Sequence, residues 1–168
     1  VSEKVTESSA ALVLFNNDND LCNLGDQTGW VCIDTVMDSG AADTVAPVEM
    51  LDWLPLEESE GSRRGQSWQS ACGEVIPNMG QKKVHGFTEE GTTMENVYQT
   101  GEISKALGSV SRTCDKGSRV VFEADGGYIQ NLTSGECTRF GRESNIYVLK
   151  TWVQRPVGSK SSTFHRRG

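Results

Sequence analysis

The residues best suited to chemistry in this chain are Asp38-Ser39-Gly40-Ala41. A carboxylate followed two positions later by glycine can sit where a buried strand ends in a tight reversal, because glycine tolerates a turn that a side chain would block. Two carboxylates brought face to face share one proton, since like charges that close cannot both ionise. The ionised one activates a water while the protonated one donates to a carbonyl oxygen. The chain has one Asp-Ser-Gly, and neither Asp115-Lys116-Gly117 nor Asp125-Gly126 repeats it. Paired-carboxylate chemistry therefore needs the second aspartate from another copy, in a two-fold homodimer with isologous contacts.

By itself such a triplet is a common turn sequence, so the elements around it carry the argument. Residues 30–37, Trp-Val-Cys-Ile-Asp-Thr-Val-Met, run straight into Asp38 and are rich in β-branched and apolar types, as in a strand covered on both faces. Residues 68–84 read as strand, Cys72-Gly73 turn, strand, with Pro77-Asn78 and Gly80 weakening the second arm of a hairpin with a mobile tip. Short strands are expected at 94–98 and 103–107, a brief helix over 109–115, a hairpin of 119–123 with 128–131 about Asp125-Gly126-Gly127, and a last strand at 145–153. Residues 51–56 and the acidic run 57–60 read as a turn and an exposed loop. Before the domain, 1–10 is polar, 10–15 a short strand and 16–20 an Asn/Asp turn, which lacks the glycine and distal glutamate of a calcium loop. The expected organisation is a flexible arm with a short strand at 1–28, a mostly β domain at 29–153 and a polar basic tail at 154–168.

Composition agrees with one domain plus tails: the chain has 168 residues, 18 of them glycine, which favours turns and short strands. A net charge of -7 repels a phosphate backbone, so nucleic acid is not an expected ligand. The five cysteines are scattered without metal or redox spacing, which points to free thiols in a reducing, intracellular setting. Asn131-Leu132-Thr133 fits a glycosylation acceptor only in a secreted protein. No apolar run reaches membrane-spanning length and no signal pattern opens the sequence, so a soluble chain is expected. The two histidines, His85 and His165, read as solvated surface, and no serine or cysteine sits in a nucleophile elbow. The four tryptophans fall in or beside expected strands and read as core.

The stretch Val36-Met37-Asp38-Ser39-Gly40-Ala41-Ala42-Asp43-Thr44-Val45 resembles the active-site segment of retropepsin-like aspartic peptidases. Ala106-Leu107-Gly108, followed by a short helix, resembles the family's second landmark, and residues 71–80 lie where the family keeps its flap hairpin. The resemblance covers residues 29–153 and looks nearest to protease segments of retroelement polyproteins of dinoflagellate type. It implies a closed single-lobe β-barrel with one short helix, here with a C-terminal β-hairpin extension. It also implies a homodimer and cleavage of polyprotein peptide bonds without metal or cofactor. Carried over, Asp38 is the catalytic acid and base, Ser39 hydrogen-bonds across the dimer and Gly40 contacts substrate backbone. Ala41, Ala42, Cys72, Gly73 and Glu74 lie along the substrate, with Cys72-Gly73 near the flap tip. Ala42 departs from the acidic residue that retroviral members often carry there. The rival reading is an inactive descendant of the fold that serves as a scaffold subunit, contacting protein partners through residues 1–25 and the tail after Gln154.

Overall fold

In a computed structural model the described residues are Glu3–Lys4 and 29–158. In chain order the strands are β1 (Glu3–Lys4), β2 (Trp30–Asp38), β3 (Val45–Pro47), β4 (Ser67–Gln69), β5 (Val75–Pro77), β6 (Gly80–Phe87), β7 (Thr93–Gly101), β8 (Ala106–Ser109), β9 (Ser118–Phe122), β10 (Gly126–Asn131), β11 (Cys137–Glu143) and β12 (Ile146–Gln154). Among the described residues two short helices interrupt them, α1 (Glu60–Arg63) before β4 and α2 (Val110–Asp115) after β8. The expected strand at 10–15 and turn at 16–20 lie outside the described residues.

Six strands close on themselves in the order β2-β8-β3-β7-β6-β12, the ring completed by antiparallel pairing of β12 with β2 from Val148↔Val36 to Gln154↔Trp30. Within it β2 runs parallel to β8 and β3 parallel to β7. Closure removes free edges that would otherwise template further strands. Side chains alternate across each strand, and each of the six strands gives one residue to a single interior cluster: Ile33, Ala46, Val84, Tyr98, Ala106 and Val153. Burying a side chain of Val or Leu size is worth about 1.5–3 kcal/mol, so this cluster stabilises the ring from within.

The two ends of the barrel differ. At one, the turn after β3 brings Leu51, Trp53 and Leu54 onto the interior cluster. There the buried ammonium of Lys82 donates to the carbonyls of Met50 (2.9 Å) and Leu51 (3.4 Å). Burial pushes its pKa down, against the opposing charges of Asp52 and Glu49. At the other end, β9, β10 and β11 extend from β12 as an antiparallel meander outside the ring. Their Phe140, Val120 and Ile129 pack with Met37, Leu149 and Val110.

The sequence reading is corrected at three points. Residues 57–60 are not simply an exposed loop: Glu57 pairs with Gln81, and Ser59 caps α1 reciprocally with Ser62, giving a second helix. The second arm expected over 75–84 is two strands, since β5 pairs with β4 in a small sheet (β1-β4-β5) while β6 pairs with β7 in the barrel. The buried Asn78 makes the switch, its amide bonding Gln66 and Gln99 and its oxygen accepting from Gly80 N. β11 carries no sequence signal because only Phe140 along it is buried. Among the described residues no helix is long and apolar enough to cross a membrane.

Candidate functional site

Asp38 is the last residue of β2, in register with Ser109 of β8. Alternation along β2 turns Ile33, Thr35 and Met37 into the barrel and Val36 and Asp38 out of it. The Gly40 N–H donates to Asp38 Oδ1 at 2.7 Å, and the Ala41 N–H reaches the Asp38 carbonyl at 3.4 Å, so the loop folds back on the carboxylate. Among the described residues the hydrogen bond to this carboxylate falls on Oδ1 alone.

The loop is fastened from across the sequence. Ser109 Oγ donates to the Ala41 carbonyl at 2.7 Å, over a separation of 68 residues, and the Ser109 N–H donates to Thr44 Oγ1 at 3.1 Å. Ser109 is also the N-cap of α2, its hydroxyl accepting from Arg112 N. Gly108 allows this close approach of β8 to β2: a Cβ there would lie 3.0 Å from Met37 Sδ and 3.1 Å from Thr35 Cγ2.

Asp43 is the charged centre of the region and is buried to 9% exposure. One oxygen receives Arg112 Nε and the neighbouring Arg112 nitrogen, each at 3.0 Å; the other receives Gln66 Nε2 at 3.0 Å and Trp68 Nε1 at 3.1 Å. A buried carboxylate satisfied by four donors is stable where an unpaired one would not be. It ties the Asp38 loop to α2 and to the β4–β5 hairpin at once. Sequence reasoning placed Asp43 only within a stretch of resemblance. Its partners lie 23 to 69 residues away, so no local pattern could have marked it.

The hairpin root lies on the same outer face as Asp38. Trp68 and Ile76, paired across β4 and β5, pack with Ala41, Val45 and Leu107, and with Val36, which shares Asp38's side of β2. Ala41 is therefore buried at the root and Ala42 half-buried, its carbonyl accepting from Arg112 Nε at 3.2 Å. Ser39 is exposed. Cys72, Gly73 and Glu74 are exposed at the hairpin tip, where Ser70 receives the Gly73 N–H on its carbonyl and the Glu74 N–H on its hydroxyl. Their hydrogen bonds among the described residues stay within the hairpin, so the structure joins its root, and not its tip, to the Asp38 loop.

Neither a family model, nor a curated protein, nor a solved structure matches this chain. The site is thus read from its own geometry: one carboxylate held by a backbone N–H at a strand end, braced by Ser109 and Asp43, with a hairpin rooted beside it. Among the described residues no group of three or more His, Cys, Asp or Glu side chains is arranged to hold a metal ion.

Proposed function

We propose that the chain is one half of a two-fold aspartic endopeptidase of the retropepsin-like kind. The observation that carries the reading is the parallel register of β2 with β8, which pairs Thr35-Val36-Met37, the run into Asp38, with Ala106-Leu107-Gly108 and sets Asp38 opposite Ser109, with a hairpin rooted on the same face. Two segments that resemble family landmarks, far apart in sequence, are thereby neighbours, inside a closed barrel.

In the proposed dimer the Asp38 carboxyls of two copies face each other and hold one proton between them. The ionised carboxylate takes a proton from water as the water oxygen bonds to the scissile carbonyl carbon, while the other carboxyl gives its proton to the carbonyl oxygen. Collapse of that intermediate breaks the C–N bond, the amine leaving with a proton from the dyad. Gly40 N–H fixes the orientation of each carboxylate, and Ser39, exposed beside it, supplies the bond across the two-fold axis.

The test is cleavage of a mixed peptide library at mildly acidic pH by wild type, by Asp38→Asn and by wild type with a statine-type inhibitor. Asparagine keeps an acceptor for Gly40 N–H, so the variant should fold and not cleave. Cleavage lost in both controls supports the dyad and hence the dimer. A folded wild-type protein that cleaves nothing at high concentration would favour the inactive scaffold instead.

A further inference from the structure

The interior of the barrel is not filled at the end where α2 and the meander lie. A cavity of about 180 Å³ remains there. Its floor is the buried Tyr98 hydroxyl, hydrogen-bonded to Thr35 Oγ1 at 2.8 Å, and its walls are Met37, Met94, Ile129 and Leu149. The side chains of Thr35 and Asn96 both partner the Tyr98 hydroxyl, so the lower cavity offers mainly apolar contact. Thioether side chains adapt to irregular occupants, and two of the four wall residues are methionine.

The rim is polar and carries a cation. Arg112 is committed to Asp43, whereas the Lys116 side chain, exposed after α2, makes no hydrogen bond or ion pair among the described residues. Glu95, the rim's acidic residue, turns toward His85 at 3.9 Å. A mouth with an apolar shaft and an available ammonium at its lip matches a ligand with an aliphatic body and one negative head. Barrel mouths are a recurrent place for such sites.

We infer that this barrel mouth binds a medium-chain aliphatic carboxylate, its chain against Met37, Met94, Ile129 and Leu149 and its carboxylate on Lys116. The site is separate from the Asp38 carboxyl, which projects from the opposite face of β2, and the inference does not depend on peptidase activity. An occupant would nevertheless press on Met37, Thr44 and Gly108, the reverse side of the strand ends that carry Asp38 and Ser109.

The methionines supply the test. Of the four in the chain, Met37 and Met94 line the cavity, while Met50 packs at the far end of the barrel and Met79 is exposed. With methyl-labelled methionine in the full chain at neutral pH, octanoate titrated into the millimolar range should shift the Met37 and Met94 signals saturably and leave Met50 and Met79 unmoved. Lys116→Gln, at an exposed position, should weaken octanoate by about five-fold, the scale of one partly exposed ion pair, and leave octan-1-ol unaffected. Unmoved cavity signals, equal shifts at all four methionines, or octan-1-ol binding as tightly as octanoate to wild type would each overturn the assignment.

Discussion

Trp68 Nε1 donates to Asp43 Oδ2 at 3.1 Å, a bond that joins the root of the β4–β5 hairpin to the loop beginning at Asp38. Both residues are buried, Trp68 to 1% exposure, so the bond forms where water cannot replace it. This bond adds to the packing of Trp68 and Ile76 on Ala41, Val45 and Leu107 in seating the hairpin root beside the loop.

Trp68→Phe should keep most of the packing and lose the donor, at a cost of about 1–2 kcal/mol. Asp43→Ala, which strips partners from Trp68, Gln66 and the half-exposed Arg112 together, should cost about 2–4 kcal/mol. Urea unfolding measures both, and equal small losses would mean that the hub contributes little.

Ser109→Ala removes the hydroxyl that holds the Ala41 carbonyl and caps α2. A loss of about 1–3 kcal/mol is expected by thermal or urea unfolding. In a cleavage assay, if the proposed activity holds, kcat should fall more than KM rises, because the loop that orients Asp38 loosens while the hairpin stays.

Gly108→Val should destabilise by about 1–3 kcal/mol, since its side chain would press on Met37 and Thr35. Shortening the neighbour relieves the clash, so the same substitution should cost less in a Met37→Ala background. A double-mutant cycle reads the coupling directly, and strict additivity would show that the two sites do not press on each other.

Lys150 bonds Asp34 at 3.0 Å and faces Glu143 at 3.4 Å. Burial acts to lower its pKa, but the hydrogen bond and charge of Asp34 and the charge of Glu143 outweigh it and hold the ammonium above the ordinary lysine value. A folded-state pKa above the unfolded one stabilises fully below the unfolded value, about 10.4, and is lost as pH rises through the folded one. Lys150→Met should therefore be less stable than wild type by about 1–3 kcal/mol at neutral pH. The gap, followed by urea midpoints, should stay constant to about pH 9 and narrow only in strong alkali.

Much of the barrel was legible locally. The apolar run ending at Asp38 reads as β2, the serine at position 109 as the start of α2, and the segment before Gln154 as β12, because strand composition and caps act over a few residues. In the sequence β6 reads as part of the hairpin, because nothing local distinguishes Pro77-Asn78-Met79-Gly80 as a change of sheet from a flaw in one strand. That distinction depends on Gln66 and Gln99 meeting Asn78.

The sequence by itself determined a mostly β chain with one Asp-Ser-Gly at a strand end, because composition, alternation and turn chemistry are short-range properties. Only the tertiary structure decided that six strands close into a ring, that Ser109 and Asp43 brace the Asp38 loop, and that the barrel keeps an open mouth. Ring closure and a buried carboxylate with four donors gain their free energy from burial between distant segments. That gain exists only once the chain has brought those segments together.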